Sequence, residues 1–324
     1  MPSSTHQPTQ HSMQGVFPVM ITPFTPENGI DWDGYARLIE WYIDHGSHGL
    51  FAVCQSSEMV YLSLKERCDL ARFAVKQVAG RMPVVASGHI AEDLAEQKRE
   101  LSAMAGTGVD AVVLVTNRLA DMQEDGHVFR ARMEGLLSAL PSDLMLGLYE
   151  CPAPYRRLLS DDELRWCAES GRFAFLKDVS CNLDHLKRRL SLVRGTPLAI
   201  NNANAAIAWP AIQAGGHGFS GVMNNFHPDL YRWLIDHGRA HPDLAADLDR
   251  FLVLSAMSEM LGYPKLAKHY HRRLGTFSGV SSRSVDYDIE ARHFAVETVL
   301  DHIVEGMRVY REKIGALAGS ARPH

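Results

Sequence analysis

Short apolar runs alternate with longer amphipathic stretches along most of the chain. The first run, Gly15 to Pro23, ends in proline and is followed by polar turn residues at 25–29, which predicts a strand and then a turn. From Trp32 to His45, apolar residues recur at helical spacing, with Asp31 as a candidate N-cap. These two elements predict one strand-helix unit.

The same pattern recurs seven more times. Predicted strands cover 49–54, 83–86, 111–115, 144–149, 173–177, 197–201 and 218–222. Predicted helices follow at 64–78, 94–105, 126–140, 161–169, 183–193, 205–214 and 228–237, with Ser63 and Ser160 as N-caps of two of them. Because short apolar strands that alternate with helices favour a parallel sheet covered by helices, eight units predict an α/β fold, the (β/α)8 TIM barrel.

The competing architecture is a doubly wound open sheet. Such a sheet usually carries a glycine-rich phosphate-binding turn after its first strand, and the segment TPFTPENG at 22–29 is not one. Beyond residue 240 the pattern is wholly helical, with candidate helices at 244–261, 264–273 and 288–314. We therefore expect a flexible N-terminal tail over 1–14, the barrel over 15–240 and a C-terminal helical extension over 241–324.

Composition limits the classes of partner. The chain has 324 residues, is 46% hydrophobic and 22% charged, and carries a formal net charge of -5, which gives no general attraction to nucleic acid or to anionic membranes. No stretch approaches the roughly 18 continuous apolar residues of a membrane span. The five cysteines are widely spaced without a CxxC pair, and the N-terminus lacks the pattern of a secretory signal. We expect a cytoplasmic protein with reduced thiols and a small-molecule partner.

Lys177 ends the apolar run 173–177 and is the first candidate for chemistry. If burial removes water from a lysine amine, its pKa falls and the neutral nucleophile becomes available near neutral pH, as imine chemistry requires. The alternative is that this lysine extends its ammonium group into solvent from the strand end.

Other polar side chains follow neighbouring strands. In a barrel of this kind the carboxyl ends of all strands meet at one mouth, so these residues would lie close to Lys177. The fifth strand ends in Tyr149, a phenol able to move protons. The remaining candidates, whose hydroxyl, amide and turn groups suit a substrate carboxylate, are Gln55, Ser56, Ser57, Asn202 and Ser220.

Several of these segments resemble one known family. GVFPVMITPF at 15–24, the turn ending in SSE at 56–58, a tyrosine with a proline three residues later, FLKDVS at 175–180 and AGGHGFSGV at 214–222 are similar, in order and spacing, to motifs of the dihydrodipicolinate synthase and N-acetylneuraminate lyase family. The resemblance implies a (β/α)8 barrel with C-terminal helices, usually a homotetramer, that uses no external cofactor. Its lysine forms a Schiff base with pyruvate or another 2-oxo acid.

The resemblance also implies roles for individual residues. Lys177 matches the imine-forming lysine, and Tyr149 matches the tyrosine that moves protons during the reaction. Ser56 matches the second of two hydroxyl residues that hold the carboxylate of the oxo acid. Because members of the family are usually tetrameric, the resemblance implies that this chain forms a homotetramer or homodimer.

Four positions depart from the family pattern. Gln55 replaces the first hydroxyl residue, and Glu150 stands where asparagine is common. Residues 116–119 (TNRL) replace a tyrosine pair of which one ring enters a neighbouring subunit. Pro154 replaces an arginine, and Arg156 and Arg157 are displaced further along the chain. We therefore expect a class I aldolase or lyase that acts on a 2-oxo acid but is not a dihydrodipicolinate synthase.

Three alternatives stay open. The same imine could serve a 2-oxo sugar acid dehydratase or hydratase-aldolase, or the barrel could bind a 2-oxo acid without catalysis. A metal-dependent aldolase would need histidine and carboxylate ligands that converge at strand ends. His89 and Asp178 are the candidates at such positions, and the other histidines are scattered or lie on helices, so we expect no metal.

Overall fold

The computed structural model describes residues 12–320. The expected N-terminal tail therefore lies outside the described residues as far as residue 11. Within the described part, Met13 is already buried, and its carbonyl oxygen accepts a hydrogen bond of 3.0 Å from Asn201 Nδ2.

Strands and helices alternate through the first three quarters of the chain, and helices follow. The alternating elements are β1 (Gly15–Val16), α1 (Trp32–Asp44), β2 (Leu50–Val53), α2 (Leu64–Val78), β3 (Val84–Ser87), α3 (Leu94–Ala105), β4 (Ala111–Val115), α4 (Gly126–Leu137), β5 (Leu146–Tyr149), α5 (Asp161–Glu169), β6 (Phe173–Asp178), α6 (Leu183–Leu192), β7 (Ala199–Asn202), α7 (Ala208–Gln213), β8 (Gly218–Phe219) and α8 (Pro228–His237). The later helices are α9 (Pro242–Ala256), α10 (Lys265–Arg273), α11 (Ile289–Arg292) and α12 (Val296–Ser320).

The eight strands form one parallel sheet in the order β1-β8-β7-β6-β5-β4-β3-β2. A parallel bridge between Val19 and Phe51 joins the chain just after β1 to β2, and the Phe51 N–H donates to the Pro18 carbonyl at 2.9 Å. This bridge closes the ring, so the predicted (β/α)8 barrel with C-terminal helices is confirmed. Helices cover the outer face, which explains why the strands are apolar throughout rather than alternating.

Side-chain caps fix the predicted helix starts. The Ser63 side chain accepts a hydrogen bond from the Glu66 N–H, and the Glu66 carboxylate accepts one of 2.8 Å from the Ser63 N–H. Ser160 and Glu163 form the same capping box at the start of α5. Each box satisfies amide groups that have no partner within the helix, so both predicted N-caps are confirmed.

Several predicted elements are shorter or divided, and the first predicted strand, 15–23, is reduced to Gly15–Val16. The predicted strand 218–222 ends at 219, because a 3-10 turn begins at Val222 and directs the chain toward α8. The predicted helix 205–214 is a 3-10 turn followed by α7. The predicted helix 288–314 is two helices, since His293 has an extended backbone that apolar periodicity does not register.

Aromatic rings fill the barrel interior below the site. The ring centroids of Phe17 and Phe175 lie 5.3 Å apart, and those of Phe51 and Phe175 lie 5.6 Å apart. Phe51 in turn contacts Tyr149 edge-on at 5.5 Å. Such contacts each contribute about 0.5–1.5 kcal/mol beyond burial. They support the ring of Tyr149 from below and leave its hydroxyl end at the mouth.

The C-terminal helices are tied to the barrel mouth by a buried ion pair. Lys268 Nζ donates to Glu58 Oε1 at 2.6 Å, across 210 residues of sequence, and both side chains are fully buried. The other Glu58 carboxylate oxygen accepts hydrogen bonds from the Ser282 hydroxyl and from the N–H groups of Arg283 and Ser284. The segment after α10 is therefore fixed against the turn that follows β2. Within residues 12–320, none of the helices combines the length and apolar character that crossing a membrane requires.

Candidate active site

Two neighbouring strands bring the amine and the phenol together. Tyr149 at the end of β5 pairs directly with Lys177 in β6. The Lys177 Nζ lies 4.7 Å from the centroid of the Tyr149 ring and 5.9 Å from that of Phe51. Both side chains therefore point into the barrel, at the end where active sites of this fold occur.

Burial sets the protonation of Lys177. Its side chain is only 5% exposed, and the loss of water lowers its pKa from the ordinary value of 10.5. Cys54, Cys151 and Glu259 oppose this shift, but burial outweighs them. The neutral amine is therefore available at lower pH than for a solvated lysine.

Burial shifts the pKa of Tyr149 in the opposite direction from that of Lys177. Burial raises its pKa well above the ordinary value of 10, and the thiols of Cys151 and Cys54 add to the shift. The Cys151 thiol, a neighbour of Tyr149, donates to Gln55 Oε1 at 3.6 Å. The phenol thus keeps its proton at neutral pH and can donate it to a leaving group beside the amine.

Each of these strand residues is followed by a carboxylate that faces away from the barrel interior. Glu150 and Asp178 come directly after Tyr149 and Lys177, and successive side chains of a strand point to opposite faces. Both carboxylates contact Arg189 of α6, with distances from its Nη1 of 2.9 Å to Glu150 Oε2 and 2.5 Å to Asp178 Oδ2. We call these three residues the outer clamp.

All three side chains of the outer clamp are at most 1% exposed. Although burial alone would lower the pKa of Arg189, the two carboxylates hold it above its ordinary value. The Glu150 carboxylate also accepts from the N–H groups of Leu159 and Val179 at 2.8 and 3.1 Å. The clamp therefore fixes the carboxyl ends of β5 and β6, and with them the spacing of amine and phenol.

The turn after β2 carries the three residues expected to hold the substrate carboxylate, Gln55, Ser56 and Ser57. The Ser57 hydroxyl donates to the Cys54 carbonyl at 2.7 Å and accepts from the Cys54 N–H at 2.8 Å, so this hydroxyl holds its own turn together. Gln55 is exposed, and its amide oxygen accepts from Cys151. Ser56 is buried and lies near Tyr263. Of the three expected residues, Ser56 has the hydroxyl that is not occupied within the turn.

The two candidates after β7 and β8 have local partners. Asn202 exchanges hydrogen bonds with the backbone of Asn204 at 2.7 and 3.1 Å. The Ser220 hydroxyl donates to the Phe17 carbonyl at 2.9 Å and joins β8 to the first strand. These side chains therefore shape the strand ends beside Lys177.

The end of β4 carries side chains that are held by the backbone around it. The Thr116 hydroxyl donates to the Arg157 carbonyl at 2.6 Å. Asn117 Nδ2 lies within 3.0 Å of three carbonyl oxygens, those of Cys151, Ala153 and Tyr155. The Arg157 guanidinium is buried in an ion pair with Glu163 at 2.7 Å. This region thus braces the β5 loop and offers no free proton donor from these three residues.

His89, the histidine considered as a metal ligand, uses both of its ring nitrogens in hydrogen bonds. His89 Nε2 accepts from the Val115 N–H at 2.8 Å, and its Nδ1 is hydrogen bonded to Gln97 Oε1 at 3.0 Å. Within residues 12–320, one group of histidine and carboxylate side chains is close enough to share an ion, namely His269, Glu290 and Glu297. That group lies among the C-terminal helices, where Arg273 pairs with Glu297.

Lys268 provides an internal comparison for Lys177. It is equally buried, and burial lowers its pKa to about 8 although Glu58 opposes the shift. Its Nζ, however, donates to Glu58 and to the Ser281 carbonyl. A lysine held in this way is a structural cation, whereas Lys177 faces a phenol, thiols and aromatic rings.

Sequence reasoning missed three residues that border the site: Cys151, Glu259 and Tyr263. Cys151 follows Tyr149 by two positions, a spacing that could have indicated the same face. Glu259 and Tyr263 come from the segment between α9 and α10, where the pattern predicts only helix packing. No local signal in the sequence relates them to Lys177.

Comparison with known proteins places the chain among related sequences. The model of the dihydrodipicolinate synthetase family matches residues 12–279. The 4-hydroxy-tetrahydrodipicolinate synthase of Thiobacillus denitrificans is 31% identical over 224 residues, which are 67% of this chain and 71% of that protein.

Solved structures share the barrel. The chain is similar to dihydrodipicolinate synthase DapA-2 of Bacillus anthracis, with a TM-score of 0.81 and 20% identity over 90% of this chain and 98% of that one. It is also similar to CdNal of Clostridium difficile, solved in complex with mannosamine, with a TM-score of 0.78 and 18% identity over 92% and 99% of the two chains. At these identities the likeness shows a common fold.

Replacing Arg189 tests the outer clamp. Arg189→Met leaves two buried carboxylates without their cation, so the free energy of unfolding should fall by about 3–5 kcal/mol. Denaturant unfolding measures the loss. The matched control is Arg188→Met, since Arg188 is the exposed neighbour that pairs with Asp161, and it should cost less than about 1 kcal/mol. Equal losses in the two variants would contradict a special role for the clamp.

Proposed function

Because this chain belongs to the dihydrodipicolinate synthetase family, we propose that Lys177 forms a Schiff base with pyruvate or another 2-oxo acid. Members of the family are class I lyases and aldolases, and this chain is an enzyme of that class. The observation that carries the proposal is the pairing of a buried amine of lowered pKa with a protonated phenol on the adjacent strand.

The proposed steps follow from the protonation states. The neutral Lys177 amine attacks the carbonyl carbon of the oxo acid, and Tyr149 donates its proton to the hydroxyl that leaves as water. The resulting imine is an electron sink, so the neighbouring carbon-carbon bond can be cleaved or formed through a carbanion equivalent. The turn of Gln55, Ser56 and Ser57 holds the substrate carboxylate. Asn202 and Ser220 shape the adjoining wall.

We further propose that the reaction differs from that of dihydrodipicolinate synthase. The segment 116–119 has no tyrosine, and the side chains of Thr116 and Asn117 donate hydrogen bonds to backbone carbonyls. Pro154 takes the place of an arginine, and the exposed Arg156 donates to the Val179 carbonyl instead. These features support cleavage of another 2-oxo acid, such as a 2-oxo sugar acid, with dehydration through the same imine as the second candidate.

We also propose that the enzyme is a cytoplasmic homotetramer or homodimer. All five cysteines are free thiols, as in proteins of reducing compartments.

The proposed oligomer has support from exposed apolar residues. Leu254, Met257 and Met260 are exposed at a spacing of three residues along one surface. An exposed apolar row of this kind supports contact with a second copy of the chain.

Borohydride trapping tests the imine. With pyruvate and borohydride, intact-mass analysis should show one added substrate skeleton per chain, and peptide mapping should place it on Lys177. Lys177→Ala should abolish the adduct, whereas Lys187→Ala, which changes an exposed lysine, should retain it. No adduct across several 2-oxo acids, or an adduct on Lys268 instead, would remove the mechanism.

The pH dependence of trapping reports the state of Lys177. The reactive form is the neutral amine, so the rate of trapping with cyanoborohydride should increase with pH. Because burial lowers the pKa of Lys177, the midpoint should lie below 10.5. A midpoint at or above that value would contradict a desolvated amine.

A substrate panel distinguishes the reactions. Release of pyruvate from one or more 2-oxo sugar acids should exceed condensation of pyruvate with aspartate semialdehyde, measured as kcat/KM under the same conditions. Efficient condensation, with kcat/KM above roughly 10⁴ M⁻¹s⁻¹, would show that the chain is a dihydrodipicolinate synthase after all.

A further inference from the structure

The Gln55 side chain leaves its own turn and contacts the loop after β5. Its amide oxygen, Oε1, accepts from the Cys151 thiol at 3.6 Å, across 96 residues of sequence. Gln55 takes part in the turn after β2 through its backbone, since its carbonyl accepts from the Glu58 N–H at 2.9 Å. Because β3 and β4 lie between β2 and β5 in the sheet, the side chain crosses the barrel mouth to make this contact.

Side chains from β2 and β5 meet at two levels. Inside the barrel, the rings of Phe51 and Tyr149 are in edge-on contact, with centroids 5.5 Å apart. The contact between Gln55 and Cys151 lies nearer the opening, because each of these residues comes later along its strand direction. The Lys177 Nζ lies beside the lower contact, 4.7 Å from the centroid of the Tyr149 ring. A substrate bound to Lys177 therefore extends past Gln55 as its chain continues toward the opening.

Cys151 is held in place as a donor. The residue is 1% exposed, and burial raises the pKa of its thiol, so the thiol remains protonated at neutral pH. Its carbonyl accepts from Asn117 Nδ2 at 2.9 Å, which fixes its backbone. The thiol thus holds the Gln55 oxygen from a defined position.

The contact with Cys151 determines which groups Gln55 presents to a substrate. An amide oxygen accepts hydrogen bonds, whereas the amide nitrogen donates them. Since Oε1 is turned to Cys151, Nε2 faces away from it, and no group among residues 12–320 accepts a hydrogen bond from Nε2. Gln55 is exposed, so its two N–H donors are open to an oxygen atom of a molecule in the mouth.

We propose that Gln55 is a specificity-determining residue whose amide N–H group binds an oxygen on carbon 4 of the substrate, as in a 4-hydroxy-2-oxo acid, and that Cys151 is the residue that positions this amide. The inference rests on the proposed function, because carbon 2 of the acid must be bound to Lys177. An aldolase of this kind breaks the bond between carbons 3 and 4 and leaves the electron pair on the imine half. The carbon 4 hydroxyl loses its proton and becomes the oxygen of the released aldehyde, so Gln55 recognises the half of the substrate that departs.

The test measures borohydride trapping of two acids that differ in one hydroxyl, 2-oxopentanoate and 4-hydroxy-2-oxopentanoate. Intact-mass analysis counts adducts of the whole acid and of its pyruvate fragment together. In the wild type, the half-saturating concentration of the hydroxy acid should be about 3- to 10-fold lower, the range for one hydrogen bond between neutral groups. Gln55→Met has a side chain of the same length without donors, and this preference should disappear. Gln213→Met is the matched control, since this exposed glutamine ends α7 away from the mouth, and it should keep the preference.

Cysteine variants test the positioning role. Cys151→Ala removes the donor to Gln55 and should reduce the preference for the hydroxy acid, whereas Cys151→Ser keeps a donor and should restore most of it. In the Gln55→Met background, Cys151→Ala should change the preference no further. Cys167→Ala, which removes a buried thiol from α5, should retain the wild-type preference. An unchanged preference in Cys151→Ala would contradict the positioning role.

Three outcomes would overturn the inference and leave the proposed function in place. Gln55→Met could weaken the binding of both acids by the same factor, which would show that the amide acts on their shared carboxylate. The preference could survive Gln55→Met, or a wild type that traps pyruvate could show no preference between the two longer acids. If the wild type instead forms no adduct with any 2-oxo acid, the proposed function fails and this inference fails with it.

Discussion

The position of the reactive groups depends on the ion pairs of Arg189 with Glu150 and Asp178. These charges lie on the outer side of β5 and β6, directly behind the residues whose side chains enter the barrel. Burying three charges carries a large desolvation cost, so their contribution to net stability is smaller than their contacts suggest. Their structural effect is to fix two adjacent strand ends from behind. Tyr149 and Lys177, which are paired residues of β5 and β6, then lie side by side at the barrel mouth.

The two faces of β5 and β6 provide opposite electrostatic environments. On the outer side the three charged groups of the outer clamp are in contact with opposite charge, and the two carboxylates hold the pKa of Arg189 above its ordinary value. On the inner side burial disfavours charge, so it lowers the pKa of the amine and raises the pKa values of the phenol and the Cys54 thiol. Residues adjacent in sequence thus experience opposite environments because successive strand side chains alternate between faces. Lys268 is also buried, but it lies directly beside the Glu58 carboxylate and forms an ion pair with it.

Local chemistry in the sequence predicts the elements of this fold better than the details of the site. Ser63 and Ser160 mark helix starts through short-range capping, and the apolar runs place Tyr149 and Lys177 at strand ends. The direction of the Ser57 hydroxyl, however, depends on the geometry of its own turn, which composition does not specify. Lys268 reaches Glu58 only because the C-terminal helices pack on the mouth. Contacts between such distant segments arise from tertiary packing, which periodicity does not encode.

The ion pair between Glu58 and Lys268 has a consequence during synthesis of the chain. Its partners are separated by 210 residues, so Glu58 leaves the ribosome long before Lys268 exists. At about 5–20 residues per second, the delay is roughly 10–40 seconds. Throughout that interval the turn after β2 must remain hydrated, because a carboxylate without its cation is costly to bury. The mouth of the barrel is thus among the last parts of the nascent protein to lose its water, even though much of it is encoded near the start.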